Sequence, residues 1–197
     1  MRKLTYYIAT TTDGFVSRPH GELDDFSFDG EHVRDLLSEF PETIPTHLRS
    51  QIEVSRDNRH FDTVLMGRCT YDVGRSLGIT SPYQHLDQYL FSTTLDVSPD
   101  DDVTLVNADA IRHVRALKAA GGLGIWLCGG PSLASALFDE IDDIILKINP
   151  FLIGSGKSIF SDPLSPKKML RLIDRRDYSN GFALAHFEVD HAHGDVD

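Results

Sequence analysis

Little in this chain points to a membrane, a secretory route or a disulfide framework. No apolar run approaches the roughly 20 residues of a membrane helix. Met1-Arg2-Lys3 leads straight into a strand-like segment, without the apolar stretch expected of a signal peptide. Two cysteines are too few for a disulfide scaffold, so a reducing cytoplasm is expected. Internal repeats and low-complexity tracts are absent. So are Ser-His-Asp, His-Glu-x-x-His and paired-cysteine arrangements, and no metal site is expected. Positive charge is scarce: 19 Lys and Arg against 30 Asp and Glu give a net charge of −11. That balance argues against non-specific nucleic-acid binding. It leaves room for an anionic cofactor, because a few local cations and helix ends can hold phosphates inside an acidic protein.

Two familiar nucleotide motifs are also missing. Gly154-Ser155-Gly156-Lys157-Ser158 looks like half of a triphosphate-binding loop, but Phe151 stands where that loop needs its first glycine. Gly122-x-Gly124 continues to Leu127 rather than to a third glycine, so a dinucleotide would not bind in the Rossmann manner.

What remains is an ordinary globular composition, 41% hydrophobic and 25% charged over 197 residues, enough for one domain with a real core. Strand-like and helix-like segments alternate, which implies an α/β fold with a largely parallel sheet. Strands are predicted over 2–10, 61–66, 88–92, 103–106, 124–128 and 142–149. Helices are predicted over 29–39, 46–58, 68–76, 109–120 and 131–138. Asp109 is a suitable N-cap for the helix that stops at Gly121-Gly122. Residues 169–175 and 182–189 alternate around Ser179-Asn180-Gly181 and read as an antiparallel edge hairpin. Residues 17–60 are irregular, fitting either a substrate lid or a surface excursion. Residues 1–190 read as a single domain, followed by a polar tail, 191–197, whose histidines read as a frayed end.

The most informative segment is Met66-Gly67-Arg68-Cys69-Thr70-Tyr71-Asp72. A buried strand runs into a glycine and then into a helix. Gly67 lets a phosphate approach the backbone, and the first helical N–H groups are unpaired. Arg68 adds a cationic fork and Thr70 a hydroxyl. The alternative is a plain strand-to-helix turn with a surface arginine. Cys69, at the helix start, reads as a buried, inert thiol. A second segment, Trp126-Leu127-Cys128-Gly129-Gly130-Pro131-Ser132-Leu133, repeats the strand–glycine–helix pattern. A third, Leu4 to Thr10, is a strand running to an Asp13-Gly14 turn.

These segments, with Ser92-Thr93 after a strand and Pro150, Leu152, Gly154, Gly156, Lys157 and Phe160 near the end, occur in one family's order. The chain resembles the dihydrofolate reductase-like superfamily. It is most similar to the reductase domain of the bacterial riboflavin-biosynthesis deaminase-reductase and its stand-alone relatives. The resemblance covers roughly residues 2–190. It implies a three-layer α/β/α fold with a mostly parallel mixed sheet and an NADPH-dependent reductase acting on a C=N or C=O carbon of a small heterocyclic or sugar-like substrate.

Residue by residue, the resemblance places Ala9 beside the nicotinamide. Gly67, Arg68, Cys69 and Thr70 form a phosphate-binding turn. Arg68, Ser92 and Thr93 face the adenosine 2′-phosphate, and Gly129, Gly130, Pro131, Ser132 and Leu133 face the pyrophosphate. Asp13 is the first choice for a proton relay, the alternative being an ordinary turn residue. Asp24, Asp25 and Lys157 are candidate substrate contacts. The Pro131 substitution for a third glycine removes one backbone donor. A dihydrofolate reductase and an NADPH-binding protein without catalysis remain as rivals. Relatives are commonly homodimers, and the apolar edge hairpin would suit a two-fold pairing.

Overall fold

The structure, a computed structural model, describes residues 1–22, 26, 30–52, 54–164 and 167–191. Its centre is an eight-stranded sheet in the order β5-β4-β3-β6-β1-β7-β10-β9. The strands are β1 (Leu4–Thr11), β3 (Phe61–Gly67), β4 (Asp87–Phe91), β5 (Val103–Val106), β6 (Gly124–Gly129), β7 (Asp143–Asn149), β9 (Met169–Asp177) and β10 (Ala183–Asp190). The first six pair in parallel; β10 and β9 close the far edge as an antiparallel hairpin. Gly181 makes the turn between them with a φ of 85°, as the Ser179-Asn180-Gly181 pattern predicts.

Adjacent residues serve opposite faces, the two-residue period of a strand. Leu4, Tyr6, Leu65, Leu127 and Ile144 pack in one core, beneath α4 (Ala110–Ala119) and α5 (Pro131–Ala136). Tyr7, Val64, Met66, Trp126 and Ile145 pack in the other, with Leu36 of α1 (Glu31–Glu39) and Tyr71 of α3 (Arg68–Ser76). Burial on both faces is what a parallel sheet needs, and the result is the expected three-layer α/β/α arrangement. Asp109 caps α4 as expected, accepting a 3.0 Å bond from the Arg112 N–H.

Two elements differ from the sequence reading. The helix expected over 46–58 is only α2 (Thr46–Arg49). Beyond it, Ser55 Oγ accepts from the Asp57 N–H at 3.1 Å, and such local side-chain bonds compete with a helical ladder. A small second sheet, β2 (Phe15–Ser17) against β8 (Lys157–Ser158), is too short to leave a periodic signal. It fastens the end of the Gly154–Ser158 segment to the Asp13-Gly14 turn. No helix among the described residues is long and apolar enough to cross a membrane.

Candidate active site

The parallel register brings the C-terminal ends of β4, β3, β6 and β1 side by side: Gly67 pairs with Phe91, Met66 with Gly129, and Tyr6 with Leu127. This end of a parallel sheet is where α/β folds bind ligands. Two glycine turns meet there. A Cβ on Gly67 would stand 3.2 Å from the Gly130 nitrogen, and one on Gly129 or Gly130 would stand 3.3 or 3.4 Å from Thr70 Oγ1. Gly129 also has a φ of 135°, which a side chain would strain. The turns therefore have room for backbone and little else, with the Thr70 hydroxyl between them. Among the described residues neither α3 nor α5 has a side-chain cap, which leaves the first α3 amides and those of Ser132 and Leu133 without a side-chain acceptor, Pro131 having no N–H. This cradle fits an extended, phosphate-bearing cofactor.

The remaining expected cofactor residues line the same edge. Ser92 follows β4 and is buried, its Oγ 3.2 Å from Thr94 Oγ1; Thr93 is exposed beside it. Pro131, Ser132 and Leu133 open α5, with Ser132 exposed and Leu133 in the core. Arg68 opens α3, but its Nε donates to Asp72 Oδ2 at 2.6 Å, while Asp72 Oδ1 meets Arg75 at 2.8 Å. The guanidinium thus shares a carboxylate, and only its outer N–H groups remain to fork onto a phosphate. Cys69 corrects an expectation: its thiol is exposed, because Tyr71 is the side chain that α3 buries.

Asp13 sits at the end of β1, but its carboxylate is engaged. It accepts from Thr11 Oγ1 at 2.6 Å, the Ile153 N–H at 3.2 Å and the Gly154 N–H at 2.8 Å. The Thr11 hydroxyl and these amides hold its pKa below the ordinary carboxylate value, so it carries no proton at neutral pH. That geometry anchors the loop after β7 on Asp13. Lys157 lies in the neighbouring small sheet; a Cβ on Gly21 would be 3.4 Å from its Nζ. Asp24 and Asp25 lie outside the described residues.

The sequence reading missed a second group on this edge. Lys147 on β7 is the register neighbour of Ala9, and its ammonium lies 4.1 Å from the centre of the Tyr7 ring. Burial lowers its pKa to about 8. Cys128 of β6 faces it, and burial raises that thiol to about 11. Tyr83, from the loop before β4, lies beside Cys128. Asn149 Nδ2 straps the two strands, donating to the Thr10 and Lys147 carbonyls at 3.2 and 3.1 Å. The available signal was a single lysine inside the apolar run Ile144-Ile145-Leu146-Lys147-Ile148.

A cavity of about 240 Å³ beside Phe138 and Leu170, and another of about 370 Å³ beside Arg2 and His60, lie elsewhere. Neither includes a residue of the cradle.

The model of the RibD C-terminal domain matches residues 2–184. The chain belongs to the RibD C-terminal domain family. Among relatives, the uncharacterised protein YwjB of Bacillus subtilis (strain 168) is 30% identical over 188 residues, spanning 93% of this chain and 96% of YwjB. A Shewanella sp. PV-4 protein assigned to riboflavin biosynthesis has a similar fold, with a TM-score of 0.72 at 21% identity over 97% of this chain and all of that one. The diaminohydroxyphosphoribosylaminopyrimidine deaminase/5-amino-6-(5-phosphoribosylamino)uracil reductase of Thermotoga maritima gives a TM-score of 0.63 at 13% identity. This chain is covered to 96% and spans 57% of that longer protein. The RibD C-terminal domain match therefore spans nearly the whole of this chain.

Proposed function

We propose that this RibD C-terminal domain protein is an NADPH-dependent reductase of the 5-amino-6-(5-phosphoribosylamino)uracil reductase type. It transfers a hydride to a C=N or C=O carbon of a small heterocyclic or sugar-like substrate. The observation that carries this reading is the cradle formed where Gly67, Gly129 and Gly130 meet around Thr70. NADPH supplies the hydride; the protein supplies binding, orientation and a dry wall.

In this reading the α3 and α5 amides and Thr70 hold the phosphates. Arg68, Ser92 and Thr93 meet the 2′-phosphate, and Ala9 presents backbone to the nicotinamide. Asp13 keeps the loop after β7 in place, and Lys157, in the small sheet beside it, is positioned for a substrate phosphate. The two cysteines fit a cytoplasmic setting, and the exposed apolar residues of β9 fit a homodimer.

Titration of the protein with NADPH and with NADH, followed by turnover of 5-amino-6-(5-phosphoribosylamino)uracil, tests the proposal. Tighter NADPH binding and loss of NADPH absorbance on adding substrate are expected. Absence of NADPH binding would refute it.

A further inference from the structure

A lysine buried against a protein core normally has a partner. Lys118 shows the usual solution: its buried ammonium donates to the Glu140 carbonyl at 2.8 Å and meets Asp142 at 2.7 Å. Lys147 has none among the described residues; its only charged or polar influence is the Cys128 thiol. The groups facing it are Tyr7 from β1 and Cys128 from β6, with Tyr83 behind the thiol and Leu184 of β10 adding hydrocarbon. Burial keeps the thiol and both phenols protonated and uncharged at neutral pH. By surface area Lys147, Cys128 and Tyr83 are each intermediate between buried and exposed. An ammonium offers three donors and no acceptor, and the described residues take up none of them.

We propose that Lys147 is the proton donor of the reduction, its ammonium meeting the nitrogen or oxygen of the substrate's C=N or C=O group beside Ala9. The proposal rests on the NADPH-reductase reading. The substrate carbon gains the hydride supplied by NADPH, which leaves as NADP⁺. The π electron pair moves to the nitrogen or oxygen, and that atom takes a proton from Lys147 Nζ. The product carries a C–N or C–O single bond, and the neutral amine regains its proton from water. A donor with a pKa close to the working pH suits this task, because it holds the proton and still releases it readily. The Tyr7 ring stabilises the charged form in the absence of a carboxylate, and the register with Ala9 puts donor and nicotinamide strand on the same sheet face.

Trace acetylation of the folded protein with acetic anhydride over a pH series, read by peptide mass mapping, tests the lysine directly. Lys147 should react with a midpoint near 8, below the roughly 10.4 of an ordinary lysine, and bound NADPH should slow it. Turnover of 5-amino-6-(5-phosphoribosylamino)uracil by K147M should fall about 100-fold or more with NADPH affinity unchanged. The loss of native kcat at alkaline pH should vanish in K147R, whose charge does not titrate. A midpoint near that of an ordinary lysine, acetylation indifferent to bound NADPH, or native turnover by K147M would overturn the proposal. Failure of the native protein to bind NADPH would instead sink the reductase reading, and the proposal with it. NADPH binding without turnover of this uracil compound would remove that substrate, and the acetylation result would then decide the role of Lys147.

Discussion

The nitrogen of Gly130 occupies the space that a side chain on Gly67 would need: an added Cβ would stand 3.2 Å from it and 3.5 Å from the Leu133 Cβ. The backbone at Gly67, with φ −74° and ψ 162°, suits any residue, so contact rather than conformation demands glycine there. Gly67→Ala should therefore change thermal stability little, since reduced freedom of the unfolded chain offsets crowding by roughly 0.4–1 kcal/mol. NADPH binding should weaken, because the two turns must part. Gly130→Val should abolish it in a folded protein. Calorimetric titration beside a melting curve checks both; normal binding by either variant would reduce the glycines to a packing device.

On the proposed reading, Arg68 would set a preference for NADPH over NADH. Because Asp72 already takes its Nε, Arg68→Ala should cost NADPH about 1.5 kcal/mol, roughly tenfold in Kd, at the low end for a charge-assisted bond. NADH should be nearly unaffected. Equal losses for the two cofactors would remove the 2′-phosphate role.

Acid should destabilise the protein well before its carboxylates protonate. Burial lowers the pKa of His32, His85 and His113 below 6.5. Near that value the unfolded chain binds more protons than the folded one, so stability rises with pH through the window just below 6.5 and falls on acidification. Asp13 and Asp143 have lowered pKa values and stay ionised there, leaving the slope to the histidines. His113 packs edge-on against Tyr89 with ring centres 5.1 Å apart, and its Nε2 is buried without a partner among the described residues. His113→Phe should flatten the dependence of Tm on pH between about 7.5 and 5.5; an unchanged slope would assign the effect elsewhere.

Glu42 is wholly buried, and its Oε1 accepts from the His60 and Phe61 N–H groups at 2.7 and 2.9 Å, at the start of β3. Glu42→Ala leaves both donors unpaired and should cost at least about 2 kcal/mol in urea unfolding. Glu42→Gln keeps an acceptor and should cost less. Equal losses would point to packing rather than hydrogen bonding.

Met169, Leu170, Leu172 and Ile173 on the edge strand β9 are 44–53% exposed. An apolar edge of this kind is a pairing surface, and a two-fold dimer through it is the expected state. Light scattering should give about twice the 22.0 kDa chain mass. Leu172→Lys should shift the protein towards monomer while leaving NADPH binding intact. A monomeric native protein at every concentration would dismiss the pairing.

The parts of the fold legible in the sequence are those with local causes. Gly67 and Gly129 end apolar strands and open helices, and that pattern is visible within ten residues. The edge hairpin showed itself through alternation around Gly181. Lys147 was not legible, because its meaning depends on which strand lies beside it. Ala9 and Lys147 are 138 positions apart, and only the register makes them neighbours. The engagement of Asp13 by Ile153 and Gly154, and of Arg68 by Asp72, likewise needs coordinates: sequence shows that a charge exists, not what already holds it.

Tyr6 and Tyr7 are consecutive, yet they belong to opposite cores. Strand β1 is therefore a hinge pin common to both layers, and its parity decides which layer each of its side chains enters. Inserting one residue between Leu4 and Tyr6 would turn Tyr7, and Ala9 behind it, to the wrong layer, parting Ala9 from Lys147 even though every side chain of the site was still present. On the proposed reading, the odd positions of this strand carry the chemistry while its even positions do the carpentry.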